Sequence, residues 1–179
     1  MSKQLLRNIT ATAMMTALSI VFERILPITP PSNAVDIRIT LANIPIILTG
    51  ILVSPVMGAV CGVISDIIGC FISGYAPFPL LTLAPLVTGF LPGFIVRTFS
   101  FEKYDKKGSA GQYALLFCAV TVTHLFSSFV ITTYGLSVMR GLGFLPMFIT
   151  RVPTMVIGLF IDAFAICALY SPLKKALKK

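Results

Sequence analysis

The sequence predicts an all-α membrane protein, a compact bundle of six transmembrane helices formed by a single domain over residues 1–179. Its 179 residues are 56% hydrophobic and only 11% charged, and the mean hydropathy is +0.96. Soluble domains carry roughly 25% charged residues, so this composition excludes an ordinary soluble protein. The apolar residues form long runs without the alternation typical of β-barrel strands, which favours helices as the membrane-spanning structure.

Six apolar runs are candidates for the membrane helices, since a helix needs about 17–25 apolar residues to cross the bilayer. The predicted spans are residues 5–26, 39–53, 56–72, 78–99, 112–136 and 144–170, of which the second is the shortest. Prolines are expected to end three of them, because proline lacks the N–H that continues a helix. These are Pro27 after the first span, Pro55 after the second and Pro172 after the sixth.

The basic residues assign an orientation to the six spans, because lysine and arginine collect on the cytoplasmic side of a membrane. An even number of spans puts both termini on one side, and ten of the 14 basic residues lie there. They are Lys3, Arg7, Arg97, Lys103, Lys106, Lys107, Lys174, Lys175, Lys178 and Lys179. We therefore expect a multi-pass protein of the cell membrane with both termini in the cytoplasm. The lipid bilayer explains the net charge of +8, so nucleic acid is not expected as a partner.

The other basic residues, on the outer half, are all arginines: Arg24, Arg38, Arg140 and Arg151. Topology requires only positive charge, whereas the planar fork of an arginine can hold a carboxylate through two parallel hydrogen bonds. This pattern favours binding of a carboxylated ligand. The alternative is that these arginines form structural ion pairs with Glu23, Asp36 and Asp66.

Arg151 is the deepest of the four, seven residues into the sixth span and so about 10 Å below its outer end. An arginine facing lipid at that depth is costly, so we expect it to face the bundle interior or a wet cavity. Asp162 lies on nearly the same face but about 16 Å deeper, too far for a direct ion pair. Gly158, between them, predicts that another helix approaches closely there. The sequence leaves the roles of Asp66 and Asp162 open.

The fifth span carries several polar side chains. His124, the only histidine, lies about midway along it, Ser127 is close by, and Tyr134 is near the outer end. One interpretation is that they line the same cavity as Arg151, with Phe78 as an aromatic wall. The alternative is hydrogen bonding between helices. Neither the histidine nor the four cysteines have the spacing of a metal site or a catalytic motif, so we predict no metal, cofactor or catalytic residue.

Small residues four apart indicate helix faces that can pack closely against another helix. Ala13 and Ala17 form such a pair in the first span, an A-x-x-x-A motif. Gly58 and Gly62 form another in the third span. We expect the first pair to offer a groove to a helix of a partner, and the second pair to pack inside the bundle.

The stretch "RITLANIPIILTGILVSPVMGAVCGVISDIIG" (38–69), the A-x-x-x-A motif, the length and the six spans together resemble a known family. They resemble the substrate-binding S components of energy-coupling factor (ECF) vitamin transporters, most of all the folate-specific branch. The resemblance implies an outer vitamin site between helices 4–6 and the 1–2, 3–4 and 5–6 loops. It also implies docking through Ala13 and Ala17 on a transmembrane coupling subunit and two ATPase subunits, followed by toppling in the bilayer. Such a subunit is not an enzyme, and the sequence contains no P-loop of its own.

Folate is the vitamin that fits these residues best. Arginines near the surface would hold the two carboxylates of its glutamate tail, while Phe78, His124, Ser127 and Arg151 would surround the benzoyl and pterin rings. Thiamin is a cation, for which the sequence offers no tryptophan cage. Riboflavin has no carboxylate and leaves the outer arginines unexplained. Biotin, pantothenate and niacin each carry one carboxylate, so an S component for another carboxylated vitamin remains an alternative.

A self-contained ion-coupled carrier of small molecules is a further alternative. It would use intramembrane acids as relays, for which Asp66 and Asp162 are candidates, but the repeated halves common in such carriers are not visible in the sequence. A membrane enzyme has little support, because neither H-E-x-x-H nor G-x-S-x-G occurs.

Overall fold

Six helices form the part of the protein that the structure, a computed structural model, describes: residues 3–25, 41–74, 76–99, 110–141 and 143–178. They are α1 (Lys3–Arg24), α2 (Asn43–Leu52), α3 (Pro55–Ile72), α4 (Pro79–Thr98), α5 and α6 (Phe144–Lys178). Helix α5 has three consecutive parts, an α-helix (Ala110–His124), a π-helix (Leu125–Thr132) and a second α-helix (Thr133–Arg140). Every regular element in these ranges is helical, which confirms the predicted all-α class.

Helix α2 differs from the other five in length. Helices α1, α3, α4, α5 and α6 are long and apolar enough to cross a membrane. Helix α2 has only 10 residues and so measures about 15 Å, half of the roughly 30 Å hydrocarbon core. Its residues from Ile44 to Ile51 are all buried. The bundle therefore consists of five spans around a half-length internal helix, rather than six full spans.

Prolines begin helices in this chain as well as following them. Ser54 is the N-cap of α3, and its Oγ accepts a hydrogen bond from the N–H of Met57 at 3.2 Å, while Pro55 takes the first helical position. The predicted end of the last helix at Pro172 is wrong, because α6 continues to Lys178. Pro172 and Ala168, whose carbonyl loses its helical partner, are both exposed, so solvent or headgroups can satisfy that carbonyl.

Glycines bring α2, α3 and α4 into backbone contact. A Cβ added to Gly89 would overlap the carbonyl of Gly58, and one added to Gly62 would overlap the carbonyl of Pro85. These overlaps confirm the predicted close packing of the third span. We call the set the glycine contact: Gly50, Gly58, Gly62, Gly89 and Gly93. Close approach of this kind strengthens van der Waals packing between helices, which is important in a bilayer because the hydrophobic effect does not drive helices together there.

The apolar core fills one half of the bundle. Ile47 and Leu48 of α2 pack there with Leu116 and Val120 from the first part of α5 and Ile166 from the second half of α6, all at most 2% exposed. Because α2 is too short to fill the other half as well, the ends of α1, α3 and α5 and the starts of α4 and α6 surround open space.

Candidate ligand-binding cavity

A cavity of about 510 Å³ occupies that second half of the bundle. Its size falls in the range of about 300–1,000 Å³ typical of small-molecule sites. Helix ends form its rim, which includes Arg24 at the end of α1, Phe78 before α4 and Arg140 at the end of α5. Asn43, the first residue of α2, lies at its floor. The half-length of α2 thus creates the space for a ligand.

The floor of the cavity is a cluster of three polar side chains, here called the floor triad: the half-buried Asn43 and the buried His124 and Asp162. Asn43 Nδ2 donates a hydrogen bond to Asp162 Oδ2 at 3.1 Å. His124 Nε2 lies 2.9 Å from the same oxygen, a close polar contact without hydrogen-bond geometry. Asp162 is 1% exposed, and its other oxygen, Oδ1, has no hydrogen-bond partner in the part of the chain that the structure describes. The triad joins α2, α5 and α6 and leaves one acceptor unsatisfied.

Arg151 of α6 is half-buried and faces the cavity, as predicted. Its Nη1 is buried and has no hydrogen-bond partner, and within the described residues Arg151 forms no ion pair. Asp66 was one of the acids that could have paired with an outer arginine. Its carboxylate instead accepts a hydrogen bond from Thr82 Oγ1 at 2.7 Å. The positive charge of Arg140, also on the lining, acts on Arg151. A buried cation beside a like charge is unfavourable until an anion lies against it.

Arg24 is largely engaged by the protein itself. It forms an ion pair with Glu23, with Nη2 3.3 Å from Oε1, and its Nη1 donates a hydrogen bond to Ser73 Oγ at 2.6 Å. Its guanidinium also packs against Gly69 of α3. These contacts match the structural ion pair that the sequence left as an alternative, although Arg24 also lines the cavity. Its role in binding stays a prediction.

Of the other predicted site residues, two line the cavity, one does not, and one lies outside the described residues. Phe78 and Ser127 line the cavity, but Ser127 Oγ lies 2.6 Å from Thr88 Oγ1 and donates to the carbonyl of Ala84 at 2.9 Å. That hydroxyl therefore links α5 to α4. This matches the alternative interpretation of the polar residues in the fifth span, hydrogen bonding between helices. Tyr134 is 53% exposed and is not among the lining residues. Arg38 lies outside the described residues, and the roles of all four in binding remain predictions.

The π-helical part of α5 is a feature that sequence analysis missed. Thr132 Oγ1 and Thr133 Oγ1 each donate to a carbonyl five residues earlier, at 3.0 Å, which fits the wider turn. The segment begins directly after His124 and contributes Ser127, Ser128 and Thr132 to the lining. Short π-helical stretches are uncommon and frequently occur at functional sites.

One expectation about α6 is wrong. Gly158 was expected to permit close approach of another helix, but a Cβ there would meet no atom of the described residues within 4 Å. It lies on the cavity lining instead, between Arg151 and Asp162. Asp162 could have been recognised from its position as an intramembrane acid. Asn43 carried no such signal, because its partner is 119 residues away in the chain.

Outside the cavity, α1 presents the predicted docking motif at the surface. Ala13 and Ala17 are exposed, together with Met14 at 69%. The opposite face of α1 is buried through Thr12, Thr16 and Ser19, and Ser19 Oγ donates to the carbonyl of Ala42 at 3.0 Å. The rest of the described chain therefore leaves the alanine face uncovered.

Comparison with known proteins decides the family. The model of a family described as the S component of an ECF-type riboflavin transporter matches residues 3–179. The chain belongs to this family of ECF-type S components. This confirms the predicted family and, with the five apolar helices, a multi-pass membrane protein. It also confirms that the chain is a substrate-binding component of a transporter and not an enzyme.

Two proteins similar to this S component are folate transporters by name. Folate transporter FolT of Clostridium novyi (strain NT) is 31% identical over 140 residues, which are 78% of this chain and 73% of the relative. A crystal structure of FolT bound with folic acid superposes with a TM-score of 0.64 at 19% identity, covering 89% of this chain and 94% of the other. At that identity the superposition establishes the fold. The family description names riboflavin and the relatives name folate, so the vitamin has to be argued from the cavity.

Proposed function

We propose that this S component binds folate with high affinity and delivers it to an ATP-driven ECF importer. The proposal rests mainly on Arg151, a cavity-facing guanidinium whose buried Nη1 has no hydrogen-bond partner among the described residues. Folate carries two carboxylates, and an arginine is the side chain that holds a carboxylate best. The relation to FolT of Clostridium novyi and the shared fold with FolT in complex with folic acid support the same ligand.

Riboflavin is the second candidate, because the matching family is described by that vitamin. It is a neutral molecule without a carboxylate. It would leave Arg151 without an anion, next to the like charge of Arg140. A ligand that leaves a buried charge uncompensated binds poorly, so the charge of the cavity favours folate.

The importer would be completed by partners. We propose that the exposed face with Ala13 and Ala17 docks on a transmembrane coupling subunit, and that two ATPase subunits hydrolyse the ATP. The exposure of both alanines on α1 supports this, since small residues four apart let another helix approach. We further propose a single domain over residues 1–179 in the cell membrane with both termini cytoplasmic, in line with the distribution of lysine.

Equilibrium titration of the purified protein in detergent, without ATP, tests the ligand. Folic acid should bind more tightly than riboflavin and thiamin, and also more tightly than vitamins with one carboxylate. Tighter binding of riboflavin than of folic acid would show that the family description also gives the vitamin of this chain.

Ala17→Leu tests the docking face. Its added bulk should prevent assembly with the coupling and ATPase subunits and stop uptake, while folate binding by the isolated protein is unchanged. Ala114→Leu is the matched control, because Ala114 is exposed on α5, away from α1. A loss of folate binding in Ala17→Leu with normal assembly would contradict this assignment.

A further inference from the structure

We infer that Asp162 binds the aminopyrimidinone edge of a pterin ring and thereby selects folate against flavins. The inference rests on the proposed function, since it assigns one end of folate to the floor of the same cavity. It concerns a residue that no pattern in the sequence assigned to the ligand.

The first argument is the state of the Asp162 carboxylate. The side chain is 1% exposed and lines the cavity, yet only one of its oxygens is occupied. Oδ2 accepts from Asn43 and faces His124, whereas Oδ1 has no hydrogen-bond partner among the residues that the structure describes. A buried acceptor without a partner is rare and unfavourable, so Oδ1 is placed to accept a hydrogen bond from a ligand.

The second argument is the donor pattern of the candidate ligands. The pterin ring of folate presents two neighbouring donors on one edge, the 2-amino group and N3–H. A carboxylate has about four lone-pair sites, so Oδ1 can accept one of these donors and the second lone pair of Oδ2, beside its bond from Asn43, can accept the other. The flavin ring presents a single N3–H between two carbonyl oxygens. A carboxylate facing that edge gains one hydrogen bond and meets two other acceptors, which repel it.

The third argument is that the carboxylate is held in place before a ligand arrives. Asn43 fixes Oδ2 from α2 and His124 lies against it from α5, so α5, α2 and α6 converge on one oxygen. A polar group fixed in this way discriminates strongly between ligands, because an analogue lacking the matching donor leaves it unpaired.

The two ends of the cavity then favour different ligand groups: Asp162 at the floor favours hydrogen-bond donors, and the arginines nearer the rim favour carboxylates. Arg151 lies eleven residues before Asp162 on α6, about 16 Å nearer the rim. Folate carries its donor pair at one end and its carboxylates at the other. This arrangement favours folate with the pterin at the floor and the glutamate towards Arg151 and Arg140, which differs from the expectation that Arg151 surrounds the rings.

The decisive test changes the ligand and leaves the protein as it is. A folate analogue with oxygen in place of the 2-amino group keeps the tail and the ring system but loses one donor. It should bind the unchanged protein about 10- to 100-fold more weakly than folic acid. Equal binding of the two compounds would overturn the inference. Failure of the protein to bind folic acid at all would instead overturn the proposed function.

Asp162→Asn tests the same contact from the protein side. Folic acid should bind about 10- to 100-fold more weakly, and the preference for folic acid over riboflavin should shrink, since the change replaces one accepting oxygen with a donating NH2 group. The affinity for p-aminobenzoylglutamate, which has the tail without the pterin, should be unchanged, which shows that the variant is folded.

Asp66→Asn is the matched control for that variant. It makes the same acid-to-amide change on the lining, at a carboxylate bound to Thr82 near the outer end of α3. Its preference for folic acid over riboflavin should equal that of the parent. An equal loss of preference in both variants would mean that total charge, and not the edge of the ring, sets the selectivity.

Discussion

Two glycines on the bundle interior have opposite surroundings. Gly89 of α4 lies in the glycine contact, where a Cβ would overlap the carbonyl of Gly58. Gly158 of α6 lines the cavity, where a Cβ would meet no atom within 4 Å in the described part of the chain. In sequence both are single glycines inside apolar helices. The first removes space between α3 and α4, and the second leaves space between α6 and the facing helices.

The difference shows that one region of the fold provides rigidity and another provides space for a ligand. Close packing of α2, α3 and α4 provides a rigid wall, and the absence of close packing along the outer part of α6 provides the cavity. Arg151 is tolerated inside the bundle because it belongs to the open region. Changes in the two regions should therefore have separable effects, on stability in one and on ligand binding in the other.

The largest effect is expected from Arg151→Ala. Folate binding should weaken by about 2–5 kcal/mol, the range for truncating one partner of a buried charged contact. The ligand-free protein should melt at the same temperature or higher, because the variant removes a half-buried cation that has no ion-pair partner among the described residues. Titration and thermal melting in detergent measure the two quantities separately.

Arg151→Lys and Arg140→Lys refine that result. Arg151→Lys should recover only part of the loss, since an ammonium group cannot offer two parallel donors. Arg140→Lys should cost less, because Arg140 is exposed at the rim. If Arg151→Ala kept its folate affinity but melted at a lower temperature, the arginine would be a structural residue.

The next effect is expected from Gly89→Ala. Its methyl group has to displace the backbone of α3, and overpacking of this kind costs about 1–3 kcal/mol or more. The melting temperature of the ligand-free protein should fall. Folate affinity of the fraction that remains folded should change little, since Gly89 is not on the cavity lining. An unchanged melting temperature would show that α3 and α4 can separate freely.

The smallest effect, with the opposite sign, is expected from Gly158→Ala. The new methyl group meets no atom, and alanine is about 0.8–1 kcal/mol more favourable than glycine inside a helix. The melting temperature should therefore rise slightly. A fall comparable to that of Gly89→Ala would mean that another helix does approach α6 there, as the sequence first suggested.

Much of the fold was predictable because a bilayer imposes strict requirements on length and polarity. The spans that became α1, α3, α4, α5 and α6 are visible as apolar runs. The half-length of α2 was harder to predict, because its burial comes from neighbours distant in the chain. Pro172 misled the prediction of the last helix end, since a proline is tolerated where its freed carbonyl is exposed.

The site was predictable in part. A deep arginine must face the interior, so Arg151 could be placed from its sequence position alone, and His124 and Phe78 were placed with it. The contacts within the site could not be derived in that way. Whether Ser127 bonds to a ligand or to Thr88, and whether Asp162 meets Asn43, depends on the rotation of separate helices. The π-helical segment after His124 changes the rotation of the following part of α5, which includes Ser127, and neither composition nor periodicity indicates this segment.

Because α2 begins at Asn43, inside the bundle, its N-terminus has an electrostatic effect on the floor triad. A helix carries about half a positive charge at its N-terminus, where the first N–H groups have no partner inside the helix. Asn43 is the first residue of α2, so this end lies beside Asp162, deep in the protein. Pro45 in the same turn has no N–H to leave unpaired. The macrodipole of a helix that stops halfway thus helps to hold a carboxylate in the membrane without placing a lysine beside it.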